Sequence, residues 1–388
     1  MPTVIKNIGL LYTGRRKLKD VDLLIDGGRV KDIGRFTGGG YDCEGQTVIP
    51  GFVDAHTHLI FAGDRADELE ERLQGKSYLD IARRGGGIMA TVRMTRAASE
   101  EELFELAQQR IKRMIRYGTT TVEIKSGYGL STEEEIKILK VIKNLRTESP
   151  IDIIPTFLGA HVIPTDIDRA SYVAMIVDEM LPRIAEEKLA EFCDVFCDEG
   201  AFTLKETETI LSRAKELGFK LKVHAEELTH TGVASLAAEM GAVSCDHLNR
   251  VSLEDLKKMK ENGTIAVLLP GTSFYLGTKP PPIAEIKRAG VDIAIATDYN
   301  PGTCPILVMP IIVAIGALYY RIPIRDTIRG ATYGGALALG RKDIGMLEKG
   351  FLADLLVLRT SDLSHLIYHF ADDNLVAIFK RGDIIYHR

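Results

Sequence analysis

Two histidines one residue apart, His56 and His58, sit in the run VIPGFVDAHTHLIFAGDR at residues 48–65. Side chains at i and i+2 of an extended strand point the same way. Both imidazoles can therefore reach one metal ion while Thr57 faces away, and Asp54 shares their parity. The spacing alone is a weak signal. Its setting strengthens it: an apolar run comes before, and a loop carrying Phe61, Gly63, Asp64 and Arg65 follows.

Other reactive side chains also lie at the ends of apolar runs. They are His161, His224 with Glu226 and Glu227, His247, and Asp298 followed by Tyr299-Asn300-Pro301-Gly302. Together His56, His58, His224 and Asp298 offer three nitrogens and one oxygen, a set that suits zinc and also iron. Such a set leaves a position for water, whose pKa a divalent ion lowers to about 7. Glu227 follows His224 by three residues and would face the wrong side of a continuing strand. It belongs to the loop beyond, either reaching over the ion as an acid or base or capping the helix that starts near Thr231. His247 either holds or deprotonates the water, or makes a buried hydrogen bond to a neighbouring strand. Arg65, seven residues past His58, can bind a carboxylate through two parallel hydrogen bonds; the plainer alternative is an ion pair with Asp67 or Glu68. Cys193 and Cys197 have metal-pair spacing but read as small buried hydrophobes. His230, His365, His369 and His387 read as ordinary core or surface residues.

These groups need a scaffold that gathers strand ends. Strand-like runs cover 119–125, 151–158, 192–196, 220–224, 242–245, 264–269 and 292–296, making eight with the opening strand. Helix-like stretches between them cover 100–117, 132–146, 169–187, 204–217, 232–240, 253–262 and 282–289. Ser131 with Glu134, and Ser252 with Asp255, look like helix caps. Eight β–α units over roughly 290 residues predict an α/β fold, a parallel (β/α)8 barrel of the TIM type with its function at the carboxyl ends of the strands. No GxGxxG follows a strand, which disfavours a doubly wound sheet. Short strands and turns fill both termini, and neither piece can bury a core alone. They are expected to pair as one small β-sandwich domain, 1–50 plus 346–388, around a catalytic barrel at 51–345.

The 388 residues carry a net charge of −5 with both signs interspersed, and no basic stripe points to nucleic acid. No apolar run is long enough for a membrane helix, and the first residues lack the order of a signal peptide. Five scattered cysteines suit reduced thiols in a cytoplasm.

The run PGFVDAHTHL resembles the first barrel strand of the amidohydrolase superfamily. Within it the chain resembles the imidazolonepropionase family, end to end. The resemblance rests on Phe61–Arg65, on residues 78–82, 85–88 and 91–93, and on EIKSGYGL at 123–130. FLGAH at 157–161, HAEE at 224–227 and TDYNPG at 297–302 also carry it. It implies ring hydrolysis of 4-imidazolone-5-propanoate to N-formimidoyl-L-glutamate in histidine degradation, by a cytoplasmic enzyme that is commonly a dimer. It also implies zinc or iron on His56, His58, His224 and Asp298. Substrate contacts are implied for Arg65, Tyr128, His161, Glu227 and Thr303, and product contacts for Tyr128, Asn300 and Gly302. Binuclear superfamily members carry a carboxylated lysine after strand four; residues 193–199 hold no lysine, so one ion per chain is expected, with His247 free of it. Glu227 is assigned the proton for the leaving ring nitrogen, with His247 and Asp298 orienting the nucleophile. A cytosine deaminase-like enzyme is the rival, but its substrates would leave Arg65 without a carboxylate. A non-catalytic protein on this fold would be expected to have lost ligands, and none is missing.

Overall fold

The computed structural model describes residues 3–76 and 84–388, so the motif at 78–82 lies outside the described residues. Eight strands form the barrel in chain order: Phe52–Asp54, Thr119–Lys125, Asp152–Ala160, Phe192–Cys197, Lys220–Ala225, Ser244–His247, Ile265–Leu268 and Ile293–Ile295. Every neighbouring pair is parallel. Strands one and eight meet just past their regular ends. The Asp298 amide donates to the His56 carbonyl at 3.0 Å, and the His58 amide donates to the Tyr299 carbonyl at 2.9 Å. Asp54 completes this seam by accepting from the Thr297 amide at 3.0 Å and its hydroxyl at 2.7 Å. Burial pushes the Asp54 carboxyl up to about 7, against the lowering effect of those bonds.

All seven helices expected between strands are present, within a residue or two at most boundaries. Others were not legible. Met309–Leu318 is apolar on every side and nearly all buried, so it carries no amphipathic period. Ala66–Leu73, Ile88–Ala97, Pro270–Leu276 and the turns of 324–338 are likewise additional.

Ser252 and Asp255 form the expected reciprocal cap. Ser131 does not cap: its side chain makes no bond to the helix that follows. The buried carboxylate of Glu135 turns back instead and accepts from the amides of Gly127, Gly129 and Leu130 at 3.0, 2.7 and 2.8 Å. Gly127, at φ 113°, lets the chain curl around that carboxylate.

The termini do pair. Leu355–Leu358 lies antiparallel to Thr47–Pro50, joining the C-terminal strands Leu375–Lys380 and Asp383–His387 to the N-terminal strands in one sheet. The hairpin of Lys17–Asp26 and Arg29–Gly34 turns through Gly27 and Gly28, both at positive φ. Gly40 starts the short strand Gly40–Asp42. Ile5, Leu11, Leu23 and Val48 share one core with Leu355, Ala377 and Phe379, so each terminus supplies what the other lacks. Lys380 ties this sheet to the barrel, reaching the Thr120 carbonyl at 2.9 Å and Asp152 at 2.7 Å.

Candidate active site

Past the regular end of strand one the chain stays extended, and the parity argument holds. His56 Nε2 and His58 Nε2 lie 3.3 Å apart. His224 Nε2, from the end of strand five, is 3.4 Å from His58 Nε2. Asp298 Oδ1 is 3.5 Å from His56 Nε2 and 3.4 Å from His58 Nε2. The three histidine nitrogens lie within 4.8 Å of one another, with the Asp298 oxygen beside two of them; His247 also offers an atom within 4.8 Å of His56 and Asp298. Ligand bonds of about 2.0–2.1 Å in a tetrahedron give edges of about 3.3–3.4 Å, which these four separations match, so the donor set suits a divalent ion. The Asp298 Oδ2 atom accepts from the Thr272 hydroxyl at 2.5 Å, which fixes the carboxylate.

Asp298 and His247 have φ of 52° and 79°. Positive φ is uncommon outside glycine. By strand parity Asp246 faces the barrel interior and His247 would face the helices. The left-handed turn at His247 brings its ring to 5.3 Å from that of His224 and 5.6 Å from that of His56. Burial holds the His247 imidazole down to about 3, so it is neutral.

Glu226 and Glu227 divide the two roles open to Glu227. Glu226 is the cap, accepting from the Thr231 and Ala234 amides at 2.6 and 3.2 Å. Glu227 is free for the site, and its Oε1 lies 3.5 Å from His247 Nδ1. Burial pushes the Glu227 carboxyl up to about 8, and the negative charge of Asp298 adds to the effect. A cation held beside it would pull the value back down.

His161 stacks on His58 with centroids 4.9 Å apart and planes 13° from parallel, and its Nδ1 is 3.0 Å from the Gly127 carbonyl. Tyr128, on the loop braced by Glu135, tilts against both rings at 5.5 and 6.0 Å. Asn300, Gly302 and Thr303 form a second group on the loop after strand eight, beside Arg65. The Asn300 amide nitrogen donates to the Asp298 carbonyl and the Thr303 hydroxyl; its oxygen accepts from the Gly302 and Thr303 amides. Asn300 therefore shapes the loop with its whole amide. A Cβ at Gly302 would stand 2.0 Å from Arg65 Nη1, so only glycine leaves room for the guanidinium.

Arg65 is paired with Glu68, one of the two partners its sequence allowed: Nη2 and Nε lie 2.6 and 2.8 Å from Glu68 Oε2. The other Glu68 oxygen accepts from the Gly87 amide at 2.8 Å. Arg65 Nη1 faces Gly302.

Four charged residues beneath the histidines were not singled out in advance. Asp246 Oδ2 is 2.6 Å from His56 Nδ1, and Asp194 Oδ1 is 3.1 Å from His224 Nδ1. Against burial, which opposes it, Asp194 raises the pKa of His224. Lys125 reaches both carboxylates, and Lys222 reaches Asp246. Their signal was parity: Lys222 shares a face with His224, and Lys125 with Glu123.

Cys193 and Cys197 are buried free thiols, as expected. Glu226, His230 and Asp255 also have ligand spacing, but their polar atoms bind Thr231, Ser235, Ser252 and one another. They cap two helices.

A family model for the amidohydrolase family matches residues 47–385. An imidazolonepropionase of Thermoanaerobacter pseudethanolicus is 45% identical over 346 residues, covering 88% of this chain and 83% of that one. One of Symbiobacterium thermophilum is 47% identical over 351 residues, with 89% and 82% covered. Among solved structures, the 5-methylcytosine deaminase of Klebsiella pneumoniae aligns with a TM-score of 0.76 at 17% identity, over 100% of this chain and 98% of its own. That likeness supports the barrel fold alone.

Proposed function

Because the chain belongs to the amidohydrolase family and, within it, to the imidazolonepropionases, we propose a role for each residue at the strand ends in that family's reaction. The enzyme hydrolyses the cyclic amide of 4-imidazolone-5-propanoate to N-formimidoyl-L-glutamate, a step of histidine degradation. In this reading one zinc or iron ion per chain is held by His56, His58, His224 and Asp298. The observation that carries it is the set of 3.3–3.5 Å separations that link His58 to His56, His224 and Asp298, and His56 to Asp298. When bound, such an ion supplies an acidified water and polarises a carbonyl oxygen. Residues 193–199 contain no lysine to bridge a second ion, which supports the count of one.

The chain's own residues do the rest. Glu227 takes a proton from the attacking water and delivers it to the ring nitrogen as the C–N bond breaks. Burial raises its carboxyl and a cation beside it lowers it again, which suits a group that must both take and give a proton near neutral pH. His247, neutral and 3.5 Å from Glu227, orients the water. Asp298 steadies the same water with the oxygen that faces the histidines. Arg65 grips the propanoate, which shares the guanidinium with Glu68 or displaces it, and Tyr128 and His161 flank the ring. Fixing the arm at one end places the carbonyl at the other. Thr303, Asn300 and Gly302 shape the wall against which Arg65 lies and contact the product.

We read the enzyme as a cytoplasmic homodimer, with 1–50 plus 346–388 as one domain and 51–345 as the other. No helix among the described residues is long and apolar enough to cross a membrane. Incubation with a small panel of heterocycles tests the reaction class. Ring-opened formimidoyl-glutamate from imidazolone propanoate is expected. Ammonia release from a cytosine-type ring, with imidazolone propanoate untouched, would favour a deaminase.

A further inference from the structure

The barrel interior below the histidines is charged. Lys125 and Lys222 are both fully buried there. Lys125 Nζ is 2.7 Å from Asp194 Oδ2, 2.8 Å from Glu123 Oε2 and 3.8 Å from Asp246 Oδ2. Lys222 Nζ is 3.0 Å from Glu123 Oε1 and 3.6 Å from Asp246 Oδ2, and donates to the Ala55 carbonyl at 2.8 Å. Layers of branched apolar side chains usually fill this position in such barrels. A buried ion network is a poor source of stability, because desolvating its charges can exceed their mutual attraction. Some other benefit is needed to explain it.

The benefit is visible in what the carboxylates touch. Asp246 and Asp194 each accept from the Nδ1 of a histidine at the ion site, His56 and His224. Among the described residues no carboxylate reaches His58 Nδ1, which is buried without a hydrogen-bond partner. Two of three histidines are thus oriented from below; Lys125 reaches both orienting carboxylates, and Lys222 reaches Asp246 and, with Lys125, Glu123. We propose that Lys125 and Lys222 are positioning residues for the ion site: Lys125 through Asp194 and Asp246, and Lys222 through Asp246, fix His224 and His56 with the proton on Nδ1 and Nε2 turned to the ion. The network also matches its guest in charge. Three carboxylates face two ammonium groups, leaving one negative charge beneath a cation. Removing a lysine frees its carboxylate to swing and lets the imidazole rotate or change tautomer. This inference rests on the ion-site reading above.

The test uses the full-length chain stripped of metal, with zinc as the probe. Lys125→Met/Glu123→Gln and Lys222→Met/Glu123→Gln each remove one charge of either sign, so the interior keeps its balance. Zinc affinity, measured by chelator competition, is expected to fall on the order of 10–100-fold in either variant that folds, the usual effect of losing support behind a ligand. Nitrogen-15 spectra of the imidazoles give a second readout. In the wild-type apo chain, at a pH where both rings are neutral, His56 and His224 should carry the proton on Nδ1; a mixture of tautomers should appear at both in the Lys125 variant and at His56 in the Lys222 variant. Folded variants with wild-type zinc affinity and unchanged tautomers would overturn the proposal. So would Nε2-protonated His56 and His224 in the wild type, whether or not any variant folds. A wild-type chain that binds no zinc or iron would instead overturn the ion-site reading itself.

Discussion

The two halves of the site are built differently. The ion-binding half is made by strand ends: His56, His58, His224 and Asp298 are at most 3% exposed, and neighbouring side chains hold His56, His224 and Asp298 from behind. The substrate-arm half is made by loops. Arg65, Asn300, Gly302 and Thr303 are fixed by one another and by Glu68, whose second oxygen anchors the Gly87 loop. Strands fix a position through the whole sheet, whereas loops fix it through a few local bonds. The strand half is therefore set before substrate arrives. In the loop half Arg65 must exchange or share a partner on binding.

The difference yields graded expectations. Removing a strand-borne ligand should be the most damaging. His58→Ala and His224→Ala should lose both the ion and activity, checked by elemental analysis and turnover, while His247→Ala keeps much of its ion. Retained metal and activity in His224→Ala would remove it from the ligand set. Glu227→Gln preserves shape and one hydrogen bond but cannot titrate. It should keep the ion and lower kcat by about 10²–10⁴-fold; a near-normal kcat with full metal would move the proton transfer to His247 or Asp298. In the loop half, Arg65→Ala should cost on the order of 10² in kcat/KM. The loss should be much smaller on an imidazolone without the carboxylate. Equal losses on both substrates would make Arg65 a brace for Glu68 and the Gly87 loop.

The smallest effects lie at the helix caps. Ser252→Ala breaks a reciprocal cap and should destabilise by about 1 kcal/mol. Ser131→Ala removes no capping bond and should change stability by less than about 0.5 kcal/mol in denaturant melts. Similar costs at both sites would contradict the assignment of Glu135 as the group that holds the 127–130 loop.

The sequence was most legible where chemistry and periodicity coincided. His56 and His58 share strand parity, and Asp298 ends an apolar run, so their meeting followed from the barrel. Barrel order was readable because seven amphipathic helices alternate with apolar strands. The helix Met309–Leu318 was not, since a helix apolar on every side carries no 3.6-residue pattern. The buried lysines were hidden for a related reason. Lysine inside a strand ordinarily marks a solvent face, and only its parity with His224 points Lys222 inward. His247 was found from its residue type, yet parity alone would have turned it away; a φ of 79° reverses that. The Arg65–Glu68 pair illustrates a choice that spacing left open. Both a substrate carboxylate and a neighbour three residues away suit a guanidinium.

The central claim is that one ion, held by four strand-end side chains, serves the whole reaction. It is tested most directly by returning zinc or iron in measured steps to chelator-stripped enzyme while following the opening of imidazolone propanoate. The account predicts that activity rises linearly and saturates at one equivalent per chain. Activity that appears only as a second equivalent binds would contradict it.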